Sequence, residues 1–435
     1  MTFGEKIFFV ILIVAHAFFF LKALDNGHVF TKDSFEYIQQ AKNIRDYHSW
    51  YCGDFRLPVQ PALFSQRPPG YGVFIFLVKK LNDSIWFLLL LQNLLSLLNF
   101  YVLVKILKLV NAQFNVLYLL IPLIFFPSQF IYPNMIMSEM LLQSAVTLSF
   151  YFITSFILLN KTASLYFYQL FISIALLIKP VWYLFPGVSI LFFVFLIKRK
   201  NILGWSILTH AIPIIVIALI FLSNHYQTNY WEYSSIQRKL MINYNAYEVL
   251  ENCYGKKNAV GIIDSIQTVT ALQSSYPAQA NYLQSESNKI LIRHPFVFAW
   301  IELKGIVRYF TDHSRYDFES FFSHIPDENN SLKEEVSSNG FRGFFDQLHK
   351  YGLGYFSYLA LSVIVNLILF VSLFIFMRQK NIEAAVRFFL FFMIIYVALL
   401  TGPTGTTRFR LPVYPLQLIA FSIVIPSKMR NHFQK

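Results

Sequence analysis

The chain has 435 residues, 56% of them hydrophobic and only 14% charged, with 48 Phe and a mean hydropathy of +0.49. That composition excludes an ordinary soluble domain and reads as a membrane protein with many apolar helices. The formal charge of +13 is concentrated in short basic connections, so it is a topology signal and not a nucleic-acid footprint.

Ten stretches are apolar and long enough to cross ~30 Å of hydrocarbon as helices. They are residues 7–24, 84–106, 114–131, 135–159, 165–178, 182–197, 203–222, 355–377, 384–400 and 411–425. The first is read as an anchor and not a cleaved signal, because Phe18-Phe19-Phe20 fills the place of a small-residue cleavage site. With the N-terminus inside, every even-numbered gap is basic: Lys105 and Lys108, Lys161, Lys198-Arg199-Lys200, then Arg378 and Lys380. Lys428, Arg430 and Lys435 follow the last span, while only Glu5 and Glu383 are acids on that side. This bias places both termini in the cytoplasm. It also makes 165–197 two crossings that turn outside at Lys179-Pro180, since Lys161 and the Lys198 cluster both belong inside.

Two long loops then leave on the outer face, at 25–83 and 223–354. In the first, Phe35, Ile38, Ala41 and Ile44 fall at helical spacing, which predicts a helix over 34–47 lying in the membrane interface. In the second, Phe296, Trp300, Leu303, Val307 and Phe310 predict another over 295–310, opened by Pro295. The expected organisation is an all-α polytopic membrane protein of about ten transmembrane helices. Residues 1–222 form a bundle carrying the first loop, 223–354 an extracytoplasmic loop domain, and 355–435 the C-terminal membrane helices. Cys52 and Cys253 lie one in each loop, either as a bridge between loops or as two unrelated thiols.

Six ionisable residues fall where apolar spans meet outer loops: Asp33, Arg67, Glu139, Lys179, Arg408 and Arg410. Charge near hydrocarbon is expensive, so such residues are candidates for a site. Asp33 is a good helix N-cap, with Glu36 three residues on to complete a capping box. It is equally a carboxylate placed to accept a proton as general base, with Glu36 and Glu139 as alternatives and Asp46 and Asp54 as further acids of that loop. Glu139 is the one acid inside a predicted span, and a helix N-terminus suits it. Arg67 precedes a Pro-Pro bend, Lys179 sits at an outer turn, and Arg408 and Arg410 close the last outer loop. Basic residues on the outer side call for an anionic partner, and a lipid phosphate fits them. Tyr37 and Tyr71, beside Asp33 and Arg67, are candidate substrate contacts. No P-loop is present, and the histidines have no metal-ligand spacing, His313 and His324 included. No cofactor is certain: a divalent metal on His313, His324 and loop carboxylates stays open, although no spacing supports it.

The ordered set of motifs resembles a family. Asp33-Ser34, Tyr37 and Ala41 are followed by Arg67-Pro68-Pro69-Gly70-Tyr71, then Ser138-Glu139, Lys179-Pro180 and Arg408-Phe409-Arg410-Leu411-Pro412 with Pro415. Together these resemble the C-type superfamily of integral-membrane glycosyltransferases (GT-C), nearest its protein O-mannosyltransferase and aminoarabinose-transferase-like branch. The resemblance implies a polyprenyl-phosphate sugar donor, inversion at the anomeric carbon, and a first-loop acid as base, a position matched by Asp33. Arg67, Lys179, Arg408 and Arg410 match donor-phosphate positions. The family's frequent doubled carboxylate is here Asp-Ser, and the chain is shorter than the larger members. The implied acceptor is an envelope glycan, lipid or protein, and the implied place a bacterial-type inner membrane with an extracytoplasmic site.

The residues lead to a compatible mechanism, because transfer outside the cytoplasm needs a lipid-linked donor whose phosphate leaving group is stabilised by cations. The rival reading is a transporter, flippase or polymerase of envelope glycans, but those tend to carry their charges at mid-membrane and not at the rim. An O-acyltransferase would want a histidine among the spans, where only His16 and His210 fall.

Overall fold

The computed structural model describes residues 1–112, 114–200, 204–322 and 332–433. The described residues are helical without strands, and eight helices are long and apolar enough to cross a membrane. The first half supplies α1 (Phe3–Asn26), α2 (Lys32–Tyr47), α3 (Gly70–Leu81), α4 (Ile85–Leu109), α5 (Glu139–Leu159), α6 (Thr162–Ile178), α7 (Phe185–Lys200) and α8 (Ala211–Thr228). The large loop folds as α9 (Tyr247–Tyr254), α10 (Lys256–Ala271), α11 (Tyr276–Arg293), α12 (Pro295–Thr311) and α13 (Arg315–Phe322). Then α14 (Leu332–Met377), α15 (Ala384–Thr401) and α16 (Tyr414–Phe433) rejoin the bundle.

Helix occupies each of the ten predicted stretches, although Leu203, the predicted start of the seventh, lies outside the described residues. Two of the ten differ from a simple span. α6 has 17 residues, about 25 Å at 1.5 Å per residue. The stretch at 114–131 is broken into Val116–Ile124 and Ser128–Asn134, which meet at 92°. Pro127 stands at the break, where it can neither donate its nitrogen nor fit against the preceding turn. The broken pair still runs from one end of the bundle toward the other. Leu117 lies against Gly4 near the Glu5–Lys108 ion pair (2.8 Å), while Asn134 accepts from Asn93 (2.9 Å) close to the opposite end of α4.

Such breaks free backbone carbonyls, which hydrocarbon cannot satisfy. A polar stripe on α4 does so instead. Gln92 donates to Pro133 O (3.1 Å) and Met135 O (2.8 Å), and Ser96 and Asn99 continue the stripe at helical spacing. Gln143 on α5 donates to Leu411 O (2.7 Å) in the 3-10 turn Leu411–Val413 ahead of α16, and to Gln129 (2.9 Å). His16 joins through Ser96 (2.8 Å). Around this polar spine the bundle packs Phe8, Phe100, Phe126, Phe150 and Trp182, all fully buried, and leaves Val10, Val14 and Leu191 on its exterior.

The large loop has an apolar core of its own, built from Ile242, Val249, Leu250, Ile263, Leu291 and Ile301. It is fastened to the first loop by Ser65 Oγ donating to the buried Glu232 (2.6 Å), by Ser234 Oγ to Gln66 O (2.9 Å) and by Ser235 Oγ to Ala62 O (2.7 Å). Glu232 is in turn held by Arg238 and Tyr276. α12 starts at Pro295 as expected, with Phe296, Trp300, Leu303 and Val307 exposed along one face. Cys52 and Cys253 are both free thiols, so the bridge between loops is not formed. Cys52 is instead buried in the first loop near the Gln40 amide (3.5 Å), and Cys253 packs beside the large loop's own core.

Candidate functional site

α2 is present, but its inner face is not the apolar stripe that the spacing suggests. Phe35 is 64% exposed, while Ser34, Tyr37, Gln40, Ala41 and Asn43 face inward. The reason is the irregular chain at 49–67, whose carbonyls need donors. Gln40 donates to Trp50 O (2.9 Å) and Arg67 O (3.0 Å), and Asn43 to Tyr51 O (2.7 Å) and Gly53 O (2.8 Å). A Cβ on Gly72 would stand 2.4 Å from the Gln40 side chain, so α3 approaches α2 this closely only with glycine there. These contacts fix Arg67 over the Tyr37 ring, 5.3 Å from its centroid.

The helix cap corrects the sequence expectation. Thr31 is the N-cap, its N–H bonded to Ser34 Oγ (2.8 Å), and Asp33 and Glu36 form no capping box. With the cap supplied by its neighbours, the Asp33 carboxylate is free for other partners. Its Oδ1 accepts from Arg67 Nη2 (2.7 Å) and its Oδ2 from Arg408 Nη2 (2.5 Å). Arg67 Nε continues to Glu36 (2.5 Å), and Arg408 Nε to Glu139 Oε1 (2.6 Å), which also accepts from Lys179 Nζ (2.7 Å).

The structure thus joins Glu36, Arg67, Asp33, Arg408, Glu139 and Lys179 into one chain of alternating charge, assembled from segments nearly 400 residues apart. Its sum is zero, three carboxylates against three cations. Local structure places each member. Lys179, ahead of a proline, is extended (φ −138°, ψ 134°), as that position favours, and turns back to Glu139 at the first turn of α5. Arg408 lies on the short helix Thr407–Arg410. The members differ in exposure. The Glu139, Lys179 and Arg67 side chains are 0%, 10% and 13% exposed, whereas Asp33, Arg408 and Glu36 keep 22%, 27% and 29%. Glu139 and Lys179 are therefore the floor, Arg67 is nearly as deep, and the other three are the accessible edge. Among the described residues Glu139 Oε2 is buried without a hydrogen-bond partner.

Burial pushes the Asp33 carboxyl up, but Arg408, Arg67 and Lys179 more than reverse this and hold it at about 2. A depressed carboxyl contributes stability above its unfolded value of about 4, and loses it as pH falls through about 2. The same cations make Asp33 a weak base while they stay on it.

Three expected site residues fall elsewhere. Arg410 is fully buried and donates to Phe310 O (2.9 Å), Asp312 O (3.2 Å) and Asn366 Oδ1 (3.1 Å), over the Phe126 ring at 4.6 Å. It caps carbonyls at the end of α12 and shares no partner with Arg408, which bonds Asp33 and Glu139. Tyr71 is enclosed and donates to Gln92 (2.7 Å), and Tyr37 is enclosed against Ser138 (3.2 Å), so both support the site from below and offer no contact on its open side. Asp46 and Asp54 pair with Arg45 and Arg56 on the exposed loop surface.

Three participants lack a sequence signal. Gln66 donates to Glu36, and Lys239 of the large loop donates to Gln66. Asp317 on α13 accepts from Ser128 Oγ (2.6 Å), from Tyr132 OH (3.0 Å) and from Oγ1 of Thr407 (2.9 Å), the residue before Arg408. Burial pushes its carboxyl up to about 6 against the pull of those hydroxyls. Nothing in the spacing of these residues distinguishes them from other loop polar groups. Among the described residues no group of three or more His, Cys, Asp or Glu is arranged to hold a metal ion, and His324 lies outside them.

Directly after Lys179, the segment Pro180–Trp182 packs on α15, with Tyr396 OH bonded to Val181 O (2.6 Å). Further along the same two helices an apolar groove of about 480 Å³ opens between α7 and α15, lined by residues such as Val188, Leu191, Phe192, Phe388, Phe392 and Ile395.

No protein-family model matches the chain, and neither a curated protein nor a solved structure matches it.

Proposed function

We propose that the protein transfers a hexose or pentose from a polyprenyl-phosphate donor to a hydroxyl of an envelope glycan, lipid or protein. The observation that carries this reading is the Arg67–Asp33–Arg408 bridge, with an apolar groove along α7, the helix that follows Lys179 in the chain. An amphiphile with a phosphate head and an isoprenoid tail matches both parts at once. Arginine engages phosphate oxygens in pairs, which gives Arg67 and Arg408 the leading part.

In the proposed reaction the acceptor oxygen bonds to the anomeric carbon from the face opposite the donor phosphate. Its proton passes to an Asp33 carboxylate oxygen. The bond between carbon and phosphate oxygen breaks with its electron pair on the phosphate, where the arginines stabilise the developing charge. The product is inverted. The basic residues Lys105, Lys108 and Lys161 belong to the end of the bundle away from this cluster, which supports a site on the extracytoplasmic side of a bacterial-type inner membrane.

Envelope glycans and glycolipids from cells with and without the protein test the reading by mass spectrometry. The expected difference is one sugar substituent, lost without the protein and restored by the wild-type chain. Unchanged sugars together with accumulation of an intact lipid-linked glycan would favour transport instead.

A further inference from the structure

The resting site is neutral, and every cation in its chain already holds a carboxylate. A neutral site gives a phosphate little net attraction unless carboxylates are displaced from the arginines, and a displaced, half-buried carboxylate needs a new counter-ion or it opposes binding. Glu139 keeps Lys179 if Arg408 turns away from it. Among the described residues Glu36 has no such second cation within ion-pair distance, since Arg67 is its partner.

Lys239 stands next in line. It lies on the helix Ile236–Leu240 of the large loop, half-buried, and its Nζ donates to Gln66 Oε1. The other end of the same amide donates to Glu36 Oε1, so one side chain separates the ammonium from the carboxylate. Among the described residues Lys239 has no carboxylate of its own within ion-pair distance. It already senses the site: burial and the charge of Arg67 lower its pKa, and Glu36 opposes them.

We infer that Lys239 is a reserve counter-ion of this site, taking over Glu36 when a lipid phosphate draws Arg67 away. This rests on the phosphate-donor reading. After the exchange Arg67 and Arg408 hold the phosphate, Lys179 holds Glu139, and Lys239 holds Glu36. Asp33 alone is left without a cation, so donor binding itself restores the basicity that its arginines suppress. Lys239 is in this sense a positioning residue and not a catalytic one.

The test is equilibrium binding of a short-chain polyprenyl monophosphate to the full-length protein in detergent at neutral pH. Lys239→Gln should weaken binding by ~10-fold, the worth of one charge-assisted contact. Glu36→Gln should bind more tightly than wild type, because Arg67 is then released at no cost. The double variant should match Glu36→Gln to within about 2-fold, since without the Glu36 charge Lys239 has nothing to neutralise. Unchanged affinity in Lys239→Gln overturns the inference. So does a loss that persists undiminished in the Glu36→Gln background, which would make Lys239 a direct phosphate ligand. If Lys239→Gln does not fold, Glu36→Gln decides alone, and binding no tighter than wild type counts against the exchange. Wild-type protein that does not bind the lipid at all removes the phosphate-donor reading itself, a separate and recognisable failure.

Discussion

Asp33→Asn is expected to give a folded, membrane-inserted protein whose transfer rate is lower by ~10²–10⁴-fold, the usual worth of a positioned base. The fold should survive for two reasons. The cap of α2 comes from Thr31 and Ser34, so residue 33 is not needed for it. Each arginine also keeps a second carboxylate, Arg67 on Glu36 and Arg408 on Glu139. Asparagine has nearly the shape of aspartate but cannot take the acceptor's proton. Single-turnover transfer with purified protein separates the outcomes. Near-normal turnover would pass the role to Glu36 or Glu139, and a fall in folded protein that matches the fall in activity would make the residue structural.

Arg408→Ala should lower kcat/KM by ~10²–10³-fold, the loss seen when one donor to a developing oxyanion is removed. Arg408 alone bridges the first-loop acid and the floor of the site, with one nitrogen on Asp33 and another on Glu139. Its removal leaves no carboxylate without a cation, because Arg67 stays on Asp33 and Lys179 on Glu139. The protein should therefore remain folded while donor handling fails. Arg408→Lys should recover little, since an ammonium on a flexible stem does not reproduce a planar fork with two divergent donors. Full activity in a folded Arg408→Ala protein would remove Arg408 from the site.

The helical bundle was legible because crossing hydrocarbon imposes long apolar runs, and these are local in sequence. The break at Pro127 was less so. A long apolar stretch reads the same whether it is straight or bent by 92°, and the compensating signal lies elsewhere, in Gln92, Ser96 and Asn99 along a Leu-rich helix. Five of the six rim charges do meet, since each lies where a span joins a loop and a charge there needs a partner. Arg410 followed the same rule but found backbone carbonyls and not charged groups, a distinction no spacing carries. The inner face of α2 misled for a related reason. Its Gln and Asn residues look like a solvated stripe, and only the folded loop reveals the carbonyls they serve. Lys239 and Asp317 enter through the tertiary arrangement of the large loop, to which one sequence gives no access.

The most direct measurement is a structure of the full-length protein with a polyprenyl phosphate bound in a lipid nanodisc. The account predicts the phosphate between Arg67 and Arg408, with Asp33 freed from both and the isoprenoid tail in the groove between α7 and α15. A phosphate bound away from both arginines, with the chain of ion pairs from Glu36 to Lys179 intact, would contradict it.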